Sequence, residues 1–180
     1  MTQPVFETLL TILQQPVRSE RGLRTDNSIL LIYPPDRELD FREQLLDSFV
    51  PALKAEGIPF QLMDLTGFIF QGVDQDEVET LQEDEFDDYR WMVQGLSQRV
   101  EAALQARLAE LGSSIQGGNL IVYGTIALYP LVRFAEVLRS LRDVNCRIVL
   151  AFPGEERGGR LHFMSQPDGG NYLAVKLFWR

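Results

Sequence analysis

Polar side chains that could bind a ligand follow each of four short apolar runs in this chain. The runs are typical of buried strands and end at Tyr33, Leu65, Tyr123 and Phe152. If the strands are parallel, their carboxyl ends meet along one edge of the sheet, which is where α/β proteins bind ligands. The residues predicted to form a crevice at this edge are Asp36, Asp64, Thr66, Tyr123, Gly124, Thr125, Pro153, Gly154 and Glu155.

The sequence leaves two interpretations of this crevice open. Thr125 would offer a hydroxyl at a helix start, where backbone N–H groups favour an anion, and Asp36, Asp64 and Glu155 would add carboxylates. Equally, Thr125 and Asp36 are typical helix caps, and a Pro-Gly pair after the fourth run is typical of a turn. The residues therefore predict a place for a ligand but no reaction.

The sequence lacks the motifs of common catalytic and cofactor-binding sites. It contains neither the phosphate loop G-x-x-x-x-G-K-[ST] nor the dinucleotide motif G-x-G-x-x-G. Pro34 and Pro35, which have no N–H to offer a phosphate, follow the first strand. The single histidine, His162, and the single cysteine, Cys146, are too few for a zinc site. We therefore expect no catalytic residues, no metal site and no cofactor.

One segment carries the net charge of −9. Residues 74–88, the acidic segment, hold nine acidic side chains and no basic ones, while the rest of the chain has 17 of each. This pattern is typical of a solvated surface or of a dock for a basic partner. The spacing does not fit a calcium loop, although a magnesium site built from a few carboxylates stays open. Because the remaining chain shows no obvious basic stripe, direct binding to nucleic acid is not expected.

Length and composition predict a single domain over residues 1–180, with the acidic segment inside it. No apolar run approaches the ~20 residues of a membrane span. The N-terminus lacks the basic and apolar regions of a signal peptide. Together with the single cysteine, these features predict a cytoplasmic protein that does not associate with a membrane.

Stretches of helical periodicity separate the four apolar runs. Helices are predicted at 3–15, at 40–57 with an irregularity near Pro51, at 89–112 and directly after Thr125 with Pro130 in the first turn. Two further strand-like segments, 161–164 and 172–179, surround a turn and indicate a hairpin. The alternation predicts a three-layer α/β sandwich with a mostly parallel, Rossmann-like sheet, a C-terminal β-hairpin at its edge and no phosphate-binding loop.

Two long motifs identify a family. They are L-I-V-Y-G-T-I-A-L-Y-P-L-V-R, ending at Arg133, and I-V-L-A-F-P-G-E, ending at Glu155. They accompany the strand I-L-L-I-Y-P, a helix with Arg42, the motif D-L-T-G-F after the second strand and the Asn171-Tyr172 pair. In these motifs the chain resembles the BrxB family, small proteins of bacteriophage exclusion (BREX) defence systems. The resemblance covers most of the chain and is weakest between 71 and 118.

The resemblance implies a cytoplasmic component of an anti-phage system that pairs a DNA methyltransferase with an ATPase and an alkaline-phosphatase-like protein called PglZ. The family has no established catalytic residues, so the resemblance favours an accessory or adaptor that docks to the PglZ-like protein. Its oligomeric state stays open. The candidate partner surface comprises Tyr129, Arg133, Asn171 and Tyr172. Further aromatic residues that belong either to such a surface or to the core are Phe163, Phe178 and Trp179.

Two other functions stay open at this point. A ligand- or nucleotide-binding domain would use the carboxyl-edge crevice and would bring Asp36, Thr125 and Glu155 together. A DNA-binding subunit would bind phosphates through arginine side chains. The arginines available for that role are Arg18, Arg21, Arg24, Arg133, Arg139 and Arg142.

Overall fold

The computed structural model describes residues 4–17, 27–71, 89–167 and 174–180. Several residues singled out in the sequence therefore lie outside the described part of the chain. They are the acidic segment 74–88, the arginines Arg18, Arg21 and Arg24, and the Asn171-Tyr172 pair of the candidate partner surface. All residues of the predicted crevice are described.

A parallel sheet forms the centre of the molecule, because its three inner strands are apolar runs that become buried on both faces. Its strands are β1 (Ser28–Tyr33), β2 (Phe60–Asp64), β3 (Asn119–Tyr123), β4 (Arg147–Arg157) and β7 (Val175–Phe178), and they lie in the order β2-β3-β4-β1-β7. Every pairing along this path is parallel. Two short strands, β5 (Arg160–Phe163) and β6 (Gln166–Pro167), continue antiparallel from the end of β4.

Helices cover both faces of this sheet. They are α1 (Pro4–Leu13), α2 (Glu38–Gln44), α3 (Val50–Ala55), α4 (Tyr89–Ser114) and α5 (Phe134–Ser140). Apolar side chains of α1, α2 and α3 pack on one face around Ile29, Leu31 and Val149, and those of α4 and α5 pack on the other around Leu30, Val122 and Leu150. The three-layer sandwich predicted from the sequence is thereby confirmed.

Proline positions account for two local departures from a regular helix. A wider turn, Leu45–Phe49, joins α2 to α3 just before Pro51, which cannot donate the next helical hydrogen bond. The sequence predicted a helix that starts directly after Thr125, and this predicted start is wrong. The chain forms a short 3₁₀ helix, Thr125–Leu128, and α5 begins only at Phe134. Tyr129 is extended (φ −77°, ψ 137°), as the residue before a proline prefers to be.

The end of the fourth strand also differs from the prediction. The Pro-Gly pair does not turn the chain, because β4 continues to Arg157 and forms a tight hairpin with β5. Both C-terminal segments contain strands, as predicted, but they do not pair with each other in the described residues. β5 pairs with β4, whereas β7 adds to the parallel sheet beside β1 at its open edge, where the main-chain groups of β1 need partners.

No helix in the described ranges combines the length and apolar composition needed to cross a bilayer. The longest, α4, is only partly apolar, with one buried stripe at Val100, Leu104 and Leu108. It runs two residues past Gly112, where the sequence predicted its end. The missing side chain at Gly112 instead allows α4 to lie against Val144 and Cys146.

Candidate functional site

The strand order divides the predicted crevice into two separate places. Asp64, Thr66, Tyr123 and Gly124 lie at the carboxyl ends of β2 and β3, at one side of the sheet. Glu155 lies on β4, two strands away from β2, and the spacing of about 4.8 Å between strands puts roughly 10 Å between them. The predicted residues therefore form no single crevice with converging carboxylates.

An arginine from the neighbouring layer organises the first of these places. Arg42 of α2 donates one hydrogen bond to the Asp64 carboxylate (2.5 Å) and another to the Thr66 hydroxyl (2.9 Å), and its guanidinium lies 5.2 Å from the centre of the Tyr123 ring. Asp64 also accepts hydrogen bonds from the Thr66 hydroxyl and backbone N–H, at 2.5 and 2.9 Å. We call Arg42, Asp64, Thr66 and Tyr123 the Arg42 cluster.

Gly124 makes this cluster possible, because its backbone passes directly against it. Its φ of 70° is a left-handed conformation that side chains disfavour. A Cβ at this position would lie 2.8 Å from both an Asp64 carboxylate oxygen and the Thr66 hydroxyl. Close packing between the two loops therefore requires a glycine at this position.

The charges within the Arg42 cluster compensate one another. Burial works against the ionised form of Asp64, but hydrogen bonds from Thr66 and the Arg42 charge outweigh it, so the pKa of Asp64 lies below its usual value. Burial, followed by the negative charge of Asp64, raises the pKa of Tyr123. Asp64 is therefore an ionised, paired carboxylate at neutral pH and is poorly suited to accept a proton from a substrate.

The sequence pattern did not place Arg42 among the crevice residues. It lies one residue after Phe41, which is buried in the apolar face of α2, and 22 residues before its partner Asp64. The sequence feature that could have indicated a role for Arg42 is the motif D-L-T. In this motif an aspartate and a threonine two residues apart offer hydrogen-bonding oxygens to one cation.

Thr125 is not available to a ligand. It is fully buried, and its hydroxyl donates a hydrogen bond of 2.7 Å to the backbone carbonyl of Ala151 on β4. Tyr33 is also buried and donates a hydrogen bond to Glu38. Burial, together with the Glu38 carboxylate, raises the pKa of Tyr33 far above its ordinary value, although a hydrogen bond with Thr125 opposes the shift. These hydroxyls tie β1, β3 and β4 together.

The second place lies at the ends of β1, β4 and β7, where a cavity of about 370 Å³ opens beside Gly154, Glu155 and Phe178. Its acidic side chains are already paired. Glu155 forms an ion pair with Arg157, and Glu156 forms one with Lys176 at 2.8 Å. Asp36 is exposed on the short helix after β1. Of the three residues that a ligand-binding crevice was predicted to bring together, Glu155 lines this cavity, whereas Thr125 is buried and neither Thr125 nor Asp36 is part of the lining.

Metal-binding and nucleophilic groups are also sparse in the described ranges. No group of three or more His, Cys, Asp or Glu side chains lies close enough to hold a metal ion there. Cys146 is buried, and burial raises the pKa of its thiol to about 11, which disfavours a reactive thiolate. One nitrogen of the half-buried His162 ring lies 3.2 Å from the Arg160 carbonyl.

A surface groove, which we call the groove at Arg133, lies between the Tyr129–Glu136 stretch and the β5–β6 hairpin. It has a volume of about 370 Å³, and Tyr129, Arg133 and Phe163 line it together with Pro167. Tyr129 and Arg133 of the candidate partner surface are thus brought together. Of the other aromatic candidates, Phe163 and Trp179 belong to the core, with 6% and 1% exposure, whereas Phe178 is 39% exposed.

The Arg42 cluster predicts a measurable pH dependence. Because the pKa of Asp64 is lower in the folded chain than its ordinary 3.8, its ionised form stabilises the fold above that pH, and the contribution is lost as the pH falls below it. We expect Asp64→Asn to lower the free energy of unfolding at neutral pH by about 1 kcal/mol, since the pair is one third exposed. The deficit relative to the wild type should shrink as denaturation is repeated at pH values approaching and passing below 3.8.

The matched control for this measurement is Asp40→Asn. Asp40 pairs with Arg37 at 3.0 Å on an exposed helix surface, so its loss should change stability by less than about 0.5 kcal/mol. An Asp64→Asn variant that is no less stable than Asp40→Asn at neutral pH, or a deficit that grows in acid, would contradict the assignment.

Comparison with known proteins gives one match. A family model described as BREX protein BrxB matches residues 63–177 of this chain. No curated protein matches the chain, and no solved structure does. The matched range contains Asp64, Gly124 and all residues that line the groove at Arg133, whereas Arg42 and Trp179 lie outside it.

Proposed function

Since the family model matches more than half of its residues, this chain belongs to the BrxB family and is a component of a BREX phage-defence system, and from that premise we propose that it is a non-catalytic adaptor that docks to the PglZ-like protein of that system. The proposal assigns the chain a binding role within a protein complex. It requires a surface that recognises a partner and no set of reacting side chains.

One observation carries this proposal: the polar groups at the carboxyl edge already pair with other groups of the chain. Arg42 is paired with Asp64, Glu155 with Arg157, and Glu156 with Lys176. Thr125 is buried against a backbone carbonyl. Two hydroxyls at this edge do contact a carboxylate, but neither pair suits covalent or acid–base catalysis. Tyr33, which donates to Glu38, is buried, and Thr66 donates to Asp64, whose ion pair with Arg42 makes it a weak base.

A ligand-binding domain is the second candidate function, and one observation favours it. The cavity of about 370 Å³ beside Gly154 lies at the carboxyl ends of parallel strands, where α/β folds bind small molecules. A DNA-binding role receives less support. Arg139 forms hydrogen bonds with Glu136 at 2.6 and 2.8 Å, which neutralises one of the arginines available on that side of the molecule.

Co-elution with the PglZ-like protein of the same host tests the proposal. We expect the two purified proteins to leave a sizing column as one peak at moderate salt. Charge reversal of the acidic segment 74–88 then determines whether that segment contributes, because an electrostatic dock weakens when its sign is reversed. Separate elution of two folded proteins would contradict the adaptor role, and a thermal shift produced by a nucleotide would support the ligand-binding domain instead.

A further inference from the structure

The groove at Arg133 has an aromatic floor that is held in place by its neighbours. The ring of Phe163 packs 5.4 Å from Phe134, 5.1 Å from Phe152 and 6.0 Å from Tyr129, measured between ring centres. Phe163 is 6% exposed, and Phe134 and Phe152 are buried. Because these rings support one another, the floor does not need to reorganise when an apolar group enters, which is typical of well-packed anchor pockets.

The rim of the groove carries a positive charge that no carboxylate in the described part of the chain neutralises. Arg133 is exposed at the start of α5, and no carboxylate within the described ranges forms an ion pair with it. Glu136 also lines the groove, but both of its oxygens accept hydrogen bonds from Arg139. An incoming group therefore meets an apolar floor beside a guanidinium that has no ion-pair partner among the described residues. A guanidinium binds carboxylates well through parallel hydrogen bonds.

The size of the groove limits what can enter. Its volume of about 370 Å³ is near the lower end of the roughly 300–1,000 Å³ typical of ligand pockets. One large side chain with its adjoining backbone fills such a space. Pro130, Gln166 and Pro167 are exposed around it, so the groove is open enough for a chain to enter and leave.

We propose that this groove is a docking site for a segment of a protein partner in which a large apolar side chain, preferably aromatic, is flanked by carboxylates. The apolar side chain packs on Phe163 and Tyr129, and a neighbouring carboxylate pairs with Arg133. The proposal rests on the proposed adaptor function and specifies the chemistry of the partner segment that such an adaptor recognises.

This chain itself contains a sequence of the same chemistry. Phe86 stands between Glu85 and Asp87 within the acidic segment 74–88. A binding experiment must therefore allow for competition from the chain. The variant Phe86→Ala removes the large apolar side chain from that sequence and leaves its charges unchanged.

An array of short immobilised peptides tests the docking chemistry directly. The central residue varies among Phe, Trp, Leu and Ala, and the flanking residues are all Glu and Asp, all Gln and Asn, or all Lys. The full chain and its Phe86→Ala variant are both applied. We expect both to bind acidic peptides with a central Phe or Trp about tenfold more strongly than the Ala-centred or amide-flanked peptides, with binding that weakens as salt increases.

Charge reversal at Arg133 supplies the second arm. Arg133→Glu should lose the preference for acidic peptides. Arg142→Glu is the matched control, since Arg142 is exposed just beyond the same helix but does not line the groove. The docking chemistry is overturned if the Phe86→Ala variant shows no preference between the peptide classes, or if Arg133→Glu and Arg142→Glu bind the array alike.

The array and the co-elution experiment can fail independently. Co-elution without peptide preference would place the partner contact elsewhere on the chain and leave the adaptor role intact. A peptide preference without co-elution would keep the groove as a docking site and remove the PglZ-like protein as its partner.

Discussion

Replacing Trp179 with alanine is expected to lower the free energy of unfolding by about 3–5 kcal/mol, the range for removal of a buried aromatic side chain. Trp179 is 1% exposed although it lies after the last strand, β7. Its ring packs edge-on against Phe41, and its indole N–H donates a hydrogen bond of 3.1 Å to Gln44. The variant would thus leave a cavity beneath α2 and an unpaired amide oxygen.

The only other tryptophan provides the control for this prediction. Trp91 lies on α4 and is 75% exposed, so Trp91→Ala should change stability by no more than about 0.5 kcal/mol. Urea denaturation followed by circular dichroism measures both variants without relying on tryptophan fluorescence. Equal stability of Trp179→Ala and the wild type would show that the C-terminal strand does not belong to the core.

Gly154→Ala is expected to cost about 3 kcal/mol or more, because the substitution forces two strands apart. A Cβ at Gly154 would overlap the backbone carbonyl oxygen of His162 on β5 and would lie 2.9 Å from the ring of Phe152. A backbone atom cannot rotate away as a side-chain tip can. The β4–β5 hairpin would have to separate, and with it the Phe163 floor of the groove would move.

A second glycine provides the control, because it shows what replacing a glycine does where there is room for a side chain. Gly95 lies inside α4, and a Cβ there would meet no atom within 4 Å. Gly95→Ala should therefore stabilise the chain by about 0.5–1 kcal/mol through its better helix propensity. Denaturation midpoints of the two variants should move in opposite directions, and a neutral Gly154→Ala would contradict the tight pairing of β4 with β5.

The sequence predicted the sheet because its signals are local. Apolar runs such as the one ending at Tyr123 are long, β-branched and bounded by turn residues, and both faces of the sheet demand such runs. The turn predicted at the Pro-Gly pair is wrong because that prediction also used only a local signal. The local preference of the pair is a turn, but pairing with Tyr33 on β1 and Phe163 on β5 holds it in an extended strand.

The candidate site was less predictable because it depends on strand order. Asp64 lies near the end of one apolar run and Glu155 follows another, yet their separation is fixed by the placement of β3 between β2 and β4. Thr125 resembled a helix cap or an anion ligand, whereas its partner, the carbonyl of Ala151, lies 26 residues away. No local pattern reveals an acceptor that only the folded sheet brings into reach.

The arginines show the same limit of prediction from local sequence patterns. Arg42 and Arg133 are both arginines beside apolar helical positions and look alike in the sequence. In the structure Arg42 is bound by Asp64 and Thr66, whereas Arg133 faces a groove with an aromatic floor. The first therefore stabilises the fold, and the second is the residue on which the proposed docking site depends.

Plating efficiency of a phage that the host's BREX system restricts tests the central claim most directly. Deletion of this gene should raise plating to the level of a host without the system. Wild-type protein and a variant carrying Asp36→Asn with Glu155→Gln should restore restriction equally, because these carboxylates are exposed and an adaptor needs no chemistry from them. Unchanged plating after deletion would contradict a role in defence, and a folded carboxylate variant that fails to restore restriction would contradict a non-catalytic one.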